Sequence, residues 1–253
     1  MSAPSVVSGS ARYRFGVAYV VDEASVLGRL AAFRPLALGV ATELFAEEAW
    51  PGRVERASRW SQTAVELSAL TASELAAALS YLRVSRPRVR YLSLHAPVAL
   101  ASGGERWLAA RLSEVQSRLT AVIQHPHILG EPARLAGLGR HLLLENMDAQ
   151  KPGGRVVEEL EPYFRLLPAA GFCLDVAHVR TVDPSMRLGH DLIDAFGGRL
   201  RELHVSGIDV DCIHVPLDVG SIELYASVLR RCRHVPWILE SLPADSPPTS
   251  EGH

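Results

Sequence analysis

Short apolar runs that stop abruptly at a histidine or a carboxylate recur through the second half of the chain. The plainest is Leu142-Leu-Leu-Glu145, followed by Asn-Met-Asp148, residues that suit a loop. Bounded apolar runs of this length read as strands of a parallel sheet buried on both faces. The same grammar gives strands at 89–95 (ending in His95), 121–125 (His125), 172–175 (Asp175), 200–204 (His204) and 237–240 (Glu240). Helical patterns fall between them at 105–119, 155–167, 183–196 and 221–231, and Gly197-Gly198 terminates the third of these. The connection 130–139 has room for about two turns of helix.

The first half is less regular. A β-branched run at 14–21 predicts the first strand, and Asp22 can cap a helix over 23–33. Residues 36–45 predict a second strand, ending near Glu43, Glu47 and Glu48. After Pro51-Gly52 the pattern is helical as far as the strand at 89, with a capping box at Thr71-Ala-Ser-Glu74. Residues 1–12 and the Pro/Ser/Gly-rich 243–253 read as disordered tails. Eight strands alternating with helices on one chain predict an α/β fold, a single-domain (β/α)8 TIM barrel over 1–253, without its last helix. The uncovered flank calls for another cover, and a second copy of the chain, in a homo-oligomer, is the expected one.

At 253 residues and 48% hydrophobic content the chain can bury a full barrel core. A formal charge of −2 provides no global basic field, so nucleic acid is not the expected partner; a small-molecule substrate is. Cys173, Cys212 and Cys232 form no paired spacing, which places the protein in a reducing, cytoplasmic compartment. No apolar run is long enough for a membrane span, and the first ten residues lack the basic region of a secretory signal.

In barrels of this kind the chemistry sits at the C-terminal ends of the strands. His95, His125, Glu145, Asp175, His204 and Glu240 therefore converge on one mouth, joined by His178 and by His214 from the loop after the seventh strand. One histidine at a strand end is more often a hydrogen-bonded core residue than a ligand. Six such endings would bury several charges together, and that is costly without a cation. Imidazole and carboxylate without thiolate suit zinc, manganese or iron. Eight candidates exceed the needs of one ion, so two or three divalent metal ions are expected, with Glu145 bridging. His141 and His234 precede strands and face the opposite end, His190 sits on a helix and His253 in the tail. His127 is an alternative to His125, Glu43 a nearby acid or base, and Asp148 a loop residue. Arg86, Arg88, Arg90, Arg230, Arg231 and Arg233 lie before strands and read as a solvated face.

The ordered motifs LHAP at His95, QHP at His125, LLLEN at Glu145, LDVAH at Asp175 and His178, LHVSG at His204 and ILES at Glu240 span residues 89–242. Together they resemble the xylose isomerase-like TIM barrel superfamily, which includes the endonuclease IV type of apurinic-site nuclease. The resemblance implies three sets of metal ligands. His95, His125 and Glu145 would hold one ion. Glu145, Asp175, His204 and Glu240 would hold a second, and His178 and His214 with Asp209 or Asp211 a third. The nuclease loop carries Asp-x-His, whereas this chain has Asp211-Cys-Ile-His214, one residue longer. Three branches share the scaffold. Sugar isomerases and epimerases use one ion and two glutamates, here Glu145 and Glu240, to move a proton beside a carbonyl. Nuclease-like hydrolases use every ligand. Multinuclear non-heme iron oxidases of peptides resemble the chain at HVSG and at TELFAEE. The number of ligands favours a multinuclear enzyme with Glu145 and Glu240 as catalytic carboxylates, hydrolysing a small polar or phosphorylated substrate. The isomerase, the peptide oxidase and a non-catalytic, metal-stapled binding barrel are the alternatives.

Overall fold

The computed structural model describes residues 25–85 and 87–244, together with the backbone of 13–15 and 19–21. Of the tails expected at 1–12 and 243–253, residues 1–12 and 245–253 lie outside the described residues, as does Arg86, whereas Pro243 and Ala244 are held against Leu217. Eight parallel strands close into a barrel: β1 Ala37–Ala41, β2 Ala64–Ser68, β3 Tyr91–His95, β4 Ala121–Gln124, β5 Leu142–Glu145, β6 Gly171–Asp175, β7 Leu200–Val205 and β8 Pro236–Leu239. Closure is the pairing of β8 with β1, from Pro236 opposite Ala37 to Leu239 opposite Val40. The helices are α1 Val26–Ala32, α2 Trp50–Trp60, α3 Ala72–Val84, α4 Gly104–Ser113, α5 Val157–Leu166, α6 Val176–Val182, α7 Arg187–Phe196 and α8 Val219–Arg231. A 3₁₀ segment, Pro132–His141, fills the short β4–β5 connection. Among the described residues no helix is long and apolar enough to cross a membrane.

The (β/α)8 barrel is as expected, but two strands are reassigned. The described residues of the expected first strand do not enter the barrel: Tyr13–Phe15 and Tyr19–Val21 pair with each other as an antiparallel ribbon. A β-branched run signals a strand but not the sheet it joins. The missing barrel strand is β2, inside the stretch that reads as helical. Its sequence, Ala-Val-Glu-Leu-Ser, is buried at all five positions, and Glu66 at its centre interrupts the apolar run that marks the other strands. The expected strand 36–45 ends at Ala41 and passes into a 3₁₀ turn, Thr42–Phe45. Beside it, Gly39 allows β1 to approach β2, since a Cβ there would lie 2.4 Å from the carbonyl oxygen of Ala64.

These reassignments also account for the flank without a last helix. No helix follows β8 among the described residues, and α1, which precedes β1, covers the flank instead. Leu30 of α1 is fully buried, and the Phe33 ring lies 5.8 Å from the Trp237 ring of β8. Arg29 pairs with Glu223 of α8 at 3.2 Å, and the Leu36 amide donates to the Arg233 carbonyl at 2.9 Å. The flank does not need a second copy of the chain, and the sequence-based reason for an oligomer falls away.

Between the sheet and the helices lies a continuous apolar layer, rich in leucine and valine. Inside the barrel the filling is smaller: Ala121, Ile123, Leu143 and Cys173 form one cluster and Ala41, Ala64 and Ile238 another. Side chains alternate along a strand, so Ser93 and Glu202, two residues before His95 and His204, share their inward face one layer deeper.

Candidate metal centre

All the strand-end residues point into the mouth because each ends its strand in phase with the inward-facing positions. The register places Asp175 beside His204 and Glu145 beside Cys173. Glu145 is at the centre and is 1% exposed. Its Oε2 lies 3.1 Å from His95 Nε2 and 3.2 Å from His125 Nε2, and its Oε1 lies 3.3 Å from His204 Nδ1. Glu240 Oε1 is 3.0 Å from the same His204 nitrogen, and Glu240 Oε2 is 3.4 Å from His214 Nδ1. His178 and His214 face each other, Nε2 to Nε2, at 3.3 Å.

Local structure fixes the rings. His95 Nδ1 sits 2.9 Å from the Ala96 carbonyl oxygen and His178 Nδ1 2.8 Å from that of Asn146, so each can donate N–H there and turn Nε2 toward the mouth. The Asn146 side chain bonds both backbone groups of Asp175, at 2.8 and 3.0 Å, locking β5 to β6. Asp175 Oδ1 caps α6 by accepting from the His178 amide at 2.8 Å, which is the structural content of the Asp-x-x-His spacing.

Five groups of potential ligand atoms result among the described residues, each within 4.8 Å of one another. Three are His95, His125 and Glu145; Glu145, Asp175, His204 and Glu240; and Asp175, His178 and His214; the other two are Glu43, His214 and Glu240, and Glu66, Glu202 and His204. The first two are the sets expected from the resemblance. In the third, Asp175 stands where Asp209 or Asp211 was expected. Asp211 is exposed, and among the described residues it joins no such group. The longer loop turns it away: Asp209 Oδ1 accepts from the Asp211 and Ile213 amides at 2.9 Å, closing a turn before His214.

No family model and no curated protein matches the sequence. Solved structures do match. Endonuclease IV from Thermus thermophilus is 22% identical, with a TM-score of 0.51 over 77% of this chain and 88% of that one. A D-psicose 3-epimerase is 13% identical, with a TM-score of 0.56 over 82% and 85%. A xylose isomerase domain protein from Alicyclobacillus acidocaldarius is 14% identical, with a TM-score of 0.52 over 85% and 92%. The fold is that of a xylose isomerase-like TIM barrel.

Within this xylose isomerase-like barrel the electrostatics are those of ligands crowded together. Burial opposes ionisation of Glu145, yet His204, His125 and His95 hold its carboxyl well below the usual range. Burial works against a charged His95 too, but its contacts with Glu145 raise it to about 9. His125, with less support, is lowered by burial to about 4. Burial pushes Glu240 well up despite His204. Asp175 Oδ2 and Glu240 Oε2 are buried without a hydrogen-bond partner. Orphaned carboxylate oxygens, together with two ring nitrogens aimed at each other, are lone pairs without a proton or cation to take them, and a hard or borderline cation fits them.

Two residues of the site carry no plain sequence signal. Glu66 and Glu202, both buried, approach His204 Nε2 at 3.2 and 3.5 Å, and Ser93 and Tyr91 donate to Glu202 at 2.9 and 2.7 Å. Glu66 lies in the unrecognised β2, and Glu202 inside β7 reads as an interruption of the strand. Only the alternation of inward positions, two residues before His204, marks it. Glu43, expected as a nearby acid or base, is a half-buried side chain on the wall of the mouth, where burial pushes its carboxyl up to about 7. The mouth opens into a cavity of about 440 Å³ that also includes His127, whose Nδ1 lies 3.0 Å from the Met147 sulfur.

Proposed function

We propose that the chain is a multinuclear, divalent-metal-dependent enzyme that hydrolyses a small polar substrate. The observation that carries this reading is Glu145, whose two oxygens face different imidazoles and so can serve two ions at once. His95, His125 and Glu145 would hold one ion. Glu145, Asp175, His204 and Glu240 would hold a second, and Asp175, His178 and His214 a third. Zinc, manganese or iron suits this set of nitrogen and oxygen donors. When bound, such ions supply Lewis acidity and bring the pKa of a coordinated water toward 7.

The chain's own residues do the rest. Glu43, with its carboxyl at about 7, can hold a proton or take one within the working range of such a site. Glu66 accepts from His204 Nε2, with Glu202 3.5 Å away, leaving Nδ1 to face Glu145 and Glu240. A cavity of this size takes a small molecule and not a folded partner.

A second reading, a sugar isomerase or epimerase, is supported by the likeness to a D-psicose 3-epimerase and an L-ribulose 3-epimerase. It needs one ion, at Glu145, Asp175, His204 and Glu240, with the two glutamates moving a substrate proton. Metal content per chain, measured on protein purified without chelator and with air excluded, separates the two. Two or three ions support hydrolysis. One ion supports the epimerase, with His95 and His125 as substrate contacts. None, even after reconstitution, overturns both.

A further inference from the structure

Of the 26 basic residues in the chain only one is lysine, Lys151. Surface ion pairs elsewhere are made by arginine, as in Arg56 with Glu47 and Glu48, Arg155 with Glu159 and Arg231 with Asp194. Lys151 stands instead at the mouth of the cavity, the only lysine or arginine among the described residues that line it.

The loop that presents it, after β5, is tied down on several sides. The Met147 amide donates to the Gly154 carbonyl at 2.8 Å, the Ala149 amide to Thr181 Oγ1 of α6 at 2.9 Å, and Gln150 Nε2 to the Asp211 carbonyl at 3.0 Å. Gly154 has φ +81° and packs on Pro126, where a Cβ would come within 2.6 Å of Cγ. Asp148 is buried and its Oδ1 accepts from the Gln150 amide at 2.8 Å. Lys151 Nζ is 3.6 Å from Asp148 Oδ2, beyond hydrogen-bond distance, and the side chain is 39% exposed. The ammonium is thus placed by the loop and by a long ion pair with Asp148, which leaves donors on its cavity side for another group.

A partner for Asp148 alone does not explain the residue type. Arginine pairs with carboxylates at least as well, and this chain uses it everywhere else. An ammonium is a compact point charge with rotatable donors, suited to an oxyanion that must be admitted and released. Once cations offset Glu145, Asp175 and Glu240, Lys151 adds a positive charge at the rim.

We infer that Lys151 anchors an anionic oxygen group of the substrate, a phosphate or a carboxylate, while the rest of the substrate reaches the metal-facing residues. The inference rests on the metal-enzyme reading and narrows its substrate to an anionic small molecule.

The single lysine makes the test direct. Reductive ¹³C-methylation preserves the charge and labels only Lys151 and the terminal amine, so Lys151 gives one assignable resonance. Zinc-loaded protein, its metal counted first, is titrated with inorganic phosphate and separately with acetate, and phosphate affinity is compared among wild type, K151R and K151M. A saturable shift of the lysine signal is expected, with about a tenfold loss of phosphate affinity in K151M at unchanged metal content and a smaller loss in K151R. A shift with phosphate alone assigns a phosphoryl group, and an equal shift with acetate assigns a carboxylate. An unmoved lysine signal, or K151M binding phosphate like wild type, overturns the inference. Protein that takes up no metal but still shows the phosphate shift keeps the anchor while the metal-enzyme reading fails.

Discussion

The mouth has two unlike sectors. From β3 to β8 the strands end in His95, His125, Glu145, Asp175, His204 and Glu240, all engaged with one another. The sector of β1 and β2 brings no histidine. It contributes Glu43 on the cavity wall and Glu66 beneath His204. One sector is equipped to fix cations by itself, and the other lends single carboxylates to it, Glu43 beside His214 and Glu240 and Glu66 beside Glu202 and His204. A barrel that served only as a metal staple would need the first sector alone. Glu43, its carboxyl pushed up to about 7 by burial, is suited to carry a proton in a reaction, a role that its position beside His214 and Glu240 would not need in a staple.

Breaking the cation sector should have the largest effect. Glu145→Gln removes charge from two ligand sets at once. Metal affinity should fall by more than the roughly 100-fold typical of losing an outer partner, with activity at background. Full metal content and full activity in that variant would overturn the assignment of Glu145. Next comes the other sector. If the Glu43 carboxylate acts as a base, the rate rises with pH through about 7, because the deprotonated form is the working one. Glu43→Gln should lower the rate about 100-fold and abolish that limb while metal content stays at the wild-type level. A pH profile unchanged in the variant would assign the proton transfer elsewhere.

Glu66→Gln tests the link between the sectors. It weakens the acceptor on His204 Nε2, so metal affinity should drop by about 10- to 100-fold, read by competition with a chromophoric chelator. Wild-type affinity would show that Glu66 does not position the ring. The smallest effect should be on stability alone. Gly39→Ala forces β1 away from the Ala64 carbonyl and should cost about 1–3 kcal/mol by urea unfolding.

The same division separates what the sequence disclosed from what it hid. In β3 to β8 each short, mostly apolar run stops at a ligand-type residue, even where Ser93 in β3 or Arg201 and Glu202 in β7 break it, so strand, direction and candidate site were readable together. In β2 a single inward glutamate breaks the run, and five residues are too few for periodicity to recover the strand. Asp211 misled for a different reason. Spacing counts residues, whereas the turn held by Asp209 decides where the carboxylate goes. The role of α1 was out of reach because a helix at one end of a chain carries no mark of packing against a strand at the other.

That placement of α1 bears on how the protein is made. The strand whose Trp237 receives Phe33, and the helix whose Glu223 receives Arg29, are synthesised about 200 residues later. At about 5–20 residues per second the ribosome needs roughly 10–40 s to deliver them. Throughout that interval Leu30 has no lasting place to hide, and β1 waits with one edge unpaired. Seam formation therefore waits for β8, and until then α1 and β1 offer chaperones that guard nascent chains a lasting target.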